Sequence, residues 1–129
     1  MIKQIKFFIQ RGRRGYADCD VWNVHSYLSD LLPKMLRQLS VGYGCPSDLY
    51  DKKATNNECH KWTEIIEEIA QGFEAAQFLD KMKYHKWVDS KTSKGAKTLE
   101  IDYESLENAR KKLDRGLELF KKYYLNLWD

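Results

Sequence analysis

The chain of 129 residues is 43% hydrophobic and 32% charged, and its formal net charge is +3. This length is typical of one domain, and the apolar content is high enough to form a core, which argues against a disordered chain. No apolar stretch reaches the roughly 18 to 20 residues that span a bilayer, and no signal peptide is recognisable. We therefore expect one domain over residues 1–129, in the cytoplasm and with no membrane partner.

The positive charge is concentrated at the N-terminus. Residues 1–16 contain five of the 22 basic residues and none of the 19 acidic ones, which leaves a net charge of −2 on the remainder. Every second residue from Ile5 to Ile9 is apolar, which allows a short strand that would need another edge or another subunit to pair with. We predict a short extended basic arm over residues 1–16, suited to phosphate, nucleic acid, an anionic ligand or an acidic protein face. The alternative is a solubilising tail.

A first helix is predicted from about Asp20 to Leu39, because residues suited to a buried face recur there every three or four positions. They are His25, Leu28, Leu32, Met35 and Leu39. Asp18 or Asp20 is expected to accept backbone N–H groups at the start of this helix. Pro33 interrupts the pattern, so we expect either a kink near residues 29–32 or two abutting helices.

A second helix is predicted from near Asn57 to about Met82. Gly72 lies within its apolar stripe, where a glycine indicates the close approach of another backbone or of an aromatic ring. The lysine-rich residues 83–100 that follow are predicted to form an exposed connection, which Trp87 could attach to the rest of the molecule.

A third helix is predicted after Asp102, which is expected to cap it. Its apolar stripe consists of Leu106, Ala109, Leu113, Leu117, Phe120, Tyr124 and Leu127. The expected fold is mainly α, with a compact bundle of three long helices, the first of them kinked at Pro33, and a short N-terminal extended arm. One helical domain accounts for the whole chain.

The chain has three cysteines, Cys19, Cys45 and Cys59. We expect reduced thiols, because this count is odd and no signal peptide is recognisable. A zinc site assembled from Cys19, His25 and the Cys59–His60 pair would lack the spacings of short zinc motifs, so a buried cysteine and a hydrogen-bonded core histidine are favoured. A Cys/His nucleophile pair has no third residue to orient it, and no phosphate-binding glycine loop is present. We therefore expect no enzymatic activity, no metal and no cofactor.

The candidate ligand-binding residues combine cations, carboxylates and aromatic rings. They are Arg11, Arg13, Arg14, Tyr16, Asp18, Asp20, Trp22 and Tyr27. Arginines pair with anionic oxygens and rings stack on planar groups, so this set suits a nucleotide or single-stranded nucleic acid. In the alternative interpretation Trp22 belongs to the core, Tyr16 packs over the helix start, and the arginines form ion pairs with Glu67, Glu68 or Asp129. The two aspartates could also hold a divalent ion, although a helix cap is favoured.

Several segments resemble a group of small uncharacterised helical proteins that tailed bacteriophages encode. The segments are Arg14-Gly15-Tyr16, Asp18-Cys19-Asp20-x-Trp22-Asn23, Tyr27-Leu28 with Pro33, Trp62, Ile69-Ala70-x-Gly72-Phe73, Leu119-Phe120 and Leu127-Trp128-Asp129. The resemblance implies a phage origin and a compact helical fold, and it implies no catalytic residues.

A phage origin suggests an accessory protein that acts in the cytoplasm of the infected bacterial host. We expect it to bind a host molecule, either sequestering a nucleotide immune signal or blocking a host defence protein. The alternative is a phage structural or DNA-associated protein that uses its basic arm. Because the segment from Ile5 to Ile9 is apolar and the chain has four tryptophans, we also expect a homo-oligomer.

Overall fold

The computed structural model describes residues 2–42, 44–49, 60–92 and 94–128, and in these residues the chain is mainly helical, as predicted. The elements in chain order are α1 (Ile2–Arg14), α2 (Asp18–Trp22), α3 (Val24–Leu39), α4 (His60–Asp80), β1 (His85–Asp89), β2 (Lys97–Ile101) and α5 (Tyr103–Tyr123), followed by a 3-10 turn (Tyr124–Asn126). No helix within the described residues is both long and apolar enough to cross a membrane.

The packing is centred on α4, which contacts α3 along one side and α5 along another. Its residues Ile66 and Ile69 are completely buried. Aromatic rings close the core around them, because Trp62 meets Tyr123 edge-on with ring centroids 5.4 Å apart. Phe73 meets Phe120 in the same way at 5.3 Å. Such edge-to-face pairs stabilise a core beyond the area that they bury.

Helices α4 and α5 cross where two glycines face each other. A Cβ atom placed on Gly72 would lie 2.7 Å from the Cα atom of Gly116 and 3.0 Å from the backbone oxygen of Lys112. No side chain other than hydrogen fits at this distance, so the two backbones are in direct contact. The predicted close approach at Gly72 is confirmed.

The N-terminal residues form helix α1, so the predicted extended arm over residues 1–16 and its strand are wrong. The backbone of a lone strand has no partner for its N–H and C=O groups, whereas a helix satisfies them within the segment. The apolar residues also fit the helical period, since Ile5, Phe8 and Ile9 share one face at spacings of three and four.

The first predicted helix is divided at Asn23 and not at Pro33. Asn23 has a non-helical backbone (φ −135°, ψ 60°), and its carbonyl accepts the N–H of Tyr27 to begin α3. Helix α3 then continues through Pro33, whose side chain is buried. Burial of the ring offsets the one backbone hydrogen bond that proline removes. The predicted bundle of three long helices with a proline kink is therefore not confirmed.

The second predicted helix is α4, and its expected start near Asn57 lies outside the described residues. The third is α5, and the Asp102 carboxylate caps it by accepting the N–H of Ser105 at 3.2 Å, as predicted. The buried side of α5 differs from the predicted stripe, because it carries Gly116 and Tyr123 while Leu117 is 44% exposed. The glycine contact with α4 rotates the helix, since it brings the smallest residue to the interface.

The connection over residues 83–100 contains an antiparallel hairpin, in which β1 pairs with β2 from His85 opposite Ile101 to Asp89 opposite Lys97. The sequence interpretation missed these strands because their lysines and threonine are exposed. Backbone pairing and the Gly95 turn, at φ +87°, stabilise the hairpin without a buried face. Trp87 is 67% exposed, so it does not attach the segment to the core.

The glycine contact predicts a large difference between two equivalent substitutions. In Gly72→Ala the new methyl group meets backbone atoms that cannot rotate away, so the free energy of unfolding should fall by about 1–3 kcal/mol. Gly12→Ala in α1 meets nothing within 4 Å and should be neutral or stabilising by up to about 1 kcal/mol. Urea unfolding of both variants measures this, and equal stability of the two would contradict the close approach.

Candidate functional site

The predicted ligand-binding residues lie where α1, α2 and the start of α3 meet. Helix α1 ends at Arg14, and Gly15 turns the chain with φ +82°, a conformation that glycine adopts at little cost. The Gly15 N–H donates to the carbonyl of Arg11 at 2.9 Å. This turn brings α2 back against the polar side of α1.

The contact between Arg11 and Asp20 is the most buried charged interaction of this junction. The Arg11 guanidinium donates from Nε to Oδ2 at 2.9 Å and from Nη2 to Oδ1 at 2.5 Å, and Asp20 is only 8% exposed. Oδ2 also accepts the Ala17 N–H at 2.8 Å, which begins α2. These donors, Arg11 above all, lower the pKa of Asp20 to about 2. Asp20 accepts a backbone N–H at the start of a helix, as predicted, but it is the third residue of α2, and Ala17 occupies the N-cap position.

Asp18 is held by three residues of α1 that lie one turn apart. Gln10 donates to its Oδ2 at 2.7 Å and accepts its backbone N–H at 3.0 Å. Arg14 forms an ion pair with Oδ1, and the Lys6 ammonium lies 3.3 Å from Oδ2. Gln10 first and Arg14 next lower the pKa of Asp18 to about 2. Both carboxylates thus serve as internal partners of α1.

Two tyrosines complete the junction. The Arg14 guanidinium lies over the Tyr16 ring, with its carbon 4.6 Å from the ring centroid, and its Nε donates to the Tyr16 carbonyl at 3.0 Å. From α3, the Tyr27 hydroxyl donates to the carbonyl of Gly15 at 2.8 Å. Tyr27 therefore connects the start of α3 to the turn between α1 and α2.

The structure brings together six of the eight predicted site residues, which we call the arginine junction. They are Arg11, Arg14, Tyr16, Asp18, Asp20 and Tyr27.

The alternative ion pairs with Glu67 and Glu68 do not form, because these residues pair with Arg37 and Arg115. The proposed partner Asp129 lies outside the described residues. Arg13 is exposed and forms no ion pair within the described part of the chain.

Trp22 is also separate from the arginine junction and lies at the surface. It is 82% exposed, so the interpretation that placed it in the core is wrong. Its neighbours Val21 and Val24 are more than half exposed. We call these three residues the Trp22 corner. The short helix α2 directs Asp20 inward, and the corner projects where α2 gives way to α3.

Sequence interpretation missed Lys6 and Gln10 as members of the site, although both contact Asp18. The feature that could have identified them is the spacing of four residues between Lys6, Gln10 and Arg14. This spacing places the three side chains on one face only if the segment is helical. It also missed Arg37, which forms bonds to Glu67 and Glu74 of α4. Those carboxylates raise the pKa of Arg37 and join α3 to α4.

The cysteine and histidine positions do not assemble a metal site in the described residues, where no group of three or more potential ligands was found. Cys19 is a free thiol, and His25 bonds to Asp80 with its Nε2 2.9 Å from Oδ1. Cys45 is disulfide-bonded, so the prediction of reduced thiols is wrong for this residue. An odd number of cysteines still permits one bridge. Cys59 lies outside the described residues.

Comparisons of the chain with protein-family models, with curated proteins and with solved structures found no match. The function is therefore inferred from the geometry of the arginine junction and of the surface beside it. The guanidinium groups of Arg11 and Arg14 are directed at carboxylates of the same chain, whereas the Trp22 corner, outside the junction, exposes apolar side chains.

The low pKa of Asp20 predicts a pH-dependent effect of Asp20→Asn. The ionised carboxylate stabilises the folded state fully above its unfolded pKa of about 3.9. That contribution disappears as the pH falls toward the folded pKa of about 2. Asp20→Asn should therefore be less stable than the parent at neutral pH, and the difference should narrow below pH ~4.

Urea unfolding at a series of pH values measures this difference. Asp114→Asn is the control, because Asp114 is exposed and forms no ion pair among the described residues. A stability difference for Asp20→Asn that stays constant down to the acid limit would contradict the role of the Arg11 contact.

Proposed function

We propose that this protein is a non-enzymatic binding protein that attaches to another protein through the Trp22 corner. The main support for this proposal is that Trp22 is 82% exposed beside two exposed valines. The hydrogen bonds of the arginine junction hold the adjoining helices together. Tryptophan is among the residues that dominate binding energy at protein interfaces. Such a side chain exposed on a rigid support is typical of an anchor for a partner pocket.

The rigidity of the corner favours tight binding. Asp20 and Asp18 tie α2 to α1, and Tyr27 ties α3 to the same turn. A surface that is already ordered loses less conformational entropy when the partner binds. The exposed valines add apolar area around the indole, and Tyr16, which is exposed as well, adds an aromatic edge nearby in the chain.

A protein partner fits this geometry better than a nucleotide signal. The guanidinium groups of Arg11 and Arg14, on which nucleotide binding would depend, already donate to Asp20 and Asp18. A phosphate would have to displace two carboxylates that stay ionised down to about pH 2. The repulsion between the phosphate and these carboxylates disfavours that exchange.

The proposed biological setting follows from the resemblance to small helical proteins of tailed bacteriophages. In that setting the protein is a phage accessory protein in the cytoplasm of the infected bacterium, where it blocks a host protein such as one used in antiviral defence. The structure supports the binding surface, and the resemblance supports the setting.

Association with DNA is a second candidate, favoured by the basic character of α1. This helix has no acidic residue, and its Lys3 and Arg13 form no ion pair within the described residues. Two phosphate contacts would give a logarithmic salt dependence with a slope of only about −2. Binding to duplex DNA as a function of salt concentration distinguishes this candidate from a protein partner.

The experiment for the main proposal compares Trp22→Ala with Trp87→Ala. Both tryptophans are well exposed, and Trp87 lies in strand β1 of the hairpin and is not part of the Trp22 corner. Tagged proteins are incubated with bacterial lysate, and bound proteins are identified by quantitative mass spectrometry. A partner enriched by the parent and by Trp87→Ala should be lost with Trp22→Ala. With the purified partner, the dissociation constant should rise by at least ~30-fold, as at an interface hot spot.

Circular dichroism of the two variants should match that of the parent, since both side chains are exposed. Equal retention of the partner by Trp22→Ala would contradict the proposed surface. Native mass spectrometry of the purified parent adds a second criterion. A native mass that exceeds the polypeptide mass by that of a nucleotide would favour nucleotide binding over a protein partner.

A further inference from the structure

Positive charge is concentrated on the hairpin of β1 and β2 as well as on α1. Residues 81–97 contain six lysines and one acidic residue, a net charge of +5, whereas all other residues together have a net charge of −2. All six lysines are exposed. Neither strand has a buried residue, and the strands pair with each other without extensive contact to a helix. The hairpin therefore projects from the helices as a basic ribbon.

Most of this charge is not neutralised by the chain itself. Lys83, Lys91, Lys94 and Lys97 form no ion pair within the described residues. Lys86 is different, since its ammonium lies 3.4 Å from the Asp102 carboxylate. Asp89 lies opposite Lys97 in the sheet register but forms no ion pair with it. In contrast to Arg11 and Arg14 of the arginine junction, the hairpin lysines are available to an anionic partner.

An aromatic ring lies beside these cations on one face of the ribbon. Trp87 of β1 is directly opposite Leu99 of β2, and the two side chains are 67% and 50% exposed. Lys97 lies on the same face as Leu99, one step closer to the turn, because side chains alternate between the two faces of a strand. An indole ring and an ammonium group thus share an open surface.

We infer that the hairpin binds a single strand of nucleic acid, with Trp87 stacked on an unpaired base and the lysines at the phosphates. Surfaces that bind single strands combine cations along the backbone with aromatic rings on which bases stack. The hairpin supplies both within one short element. This inference does not depend on the Trp22 corner, and it assigns nucleic acid to the hairpin and not to α1.

Other partners fit the hairpin less well. Lysine is depleted from protein interfaces and arginine is enriched, whereas residues 81–97 contain six lysines and no arginine. Entry into a membrane would take the charges of Lys91 and Lys94, at the turn, out of water. In a duplex the bases are already stacked on each other, so the Trp87 ring would find no free base face.

The test measures binding of the purified chain to a fluorescein-labelled oligo(dT) strand of about ten nucleotides, by fluorescence anisotropy. The logarithm of the binding constant should fall with the logarithm of the salt concentration with a slope of about −3, since four lysines contact phosphates. Trp87→Ala should raise the Kd by about 5- to 100-fold and leave this slope unchanged, because stacking is not ionic. Trp87→Phe, which retains a ring, should recover most of the affinity.

A triple variant tests the lysines. It combines Lys91→Gln, Lys94→Gln and Lys97→Gln, and it should reduce the slope to about −1. The matched control removes the same charge elsewhere, through Lys3→Gln, Arg13→Gln and Lys121→Gln, and should keep the slope of the parent.

Two further variants separate this inference from other effects. Leu99→Ala removes the residue opposite Trp87 and keeps the ring, so it should bind the strand like the parent if the hairpin is intact. Trp22→Ala should also bind like the parent, because the Trp22 corner shares no residue with the hairpin. Loss of a protein partner with Trp22→Ala and loss of the strand with Trp87→Ala are therefore independent results.

The opposite outcomes overturn the inference. They are no binding at low salt, tighter binding to the oligo(dT)·oligo(dA) duplex than to the single strand, and equal losses with Trp87→Ala and Leu99→Ala. A control variant that binds as weakly as the triple hairpin variant would assign the contact to net charge or to α1. Displacement of the strand by poly-glutamate at equal charge would indicate an acidic protein face, and flotation with phosphatidylglycerol vesicles that the triple variant abolishes would indicate a lipid surface.

Discussion

The bidentate contact between Arg11 and Asp20 determines how α1 and α2 are arranged. Asp20 is buried, so removing Arg11 would take away the cation that pairs with this carboxylate. The same carboxylate begins α2 by accepting the Ala17 N–H. The Asp20 carboxylate therefore both binds Arg11 of α1 and begins α2, so the position of one helix depends on the other. Gly15 provides the turn that lets the two helices meet.

This arrangement explains why the carboxylate of Asp20 is buried at the junction while the apolar residues of α1 are exposed. The polar side of α1 is satisfied by Asp18 and Asp20, so its isoleucines and Phe8 point away from the chain's own core. Apolar burial is the larger stabilising term for most helices. A helix that forgoes it gains stability when a partner covers the face, whether that partner is a second copy or another protein.

Part of this structure is predictable from local rules. The Asp102 cap and the close contact at Gly72 each depend on one residue and its immediate chemistry, and both were predicted correctly. The conformation of residues 1–16 was not, because Ile5 to Ile9 fits a strand period and a helical period equally well over so short a stretch. The residues of the arginine junction were identified, but their pairing depends on the turn at Gly15, which decides that the arginines meet aspartates of their own chain. The exposure of Trp22 follows from the break at Asn23, since a continuous helix would have placed the indole elsewhere.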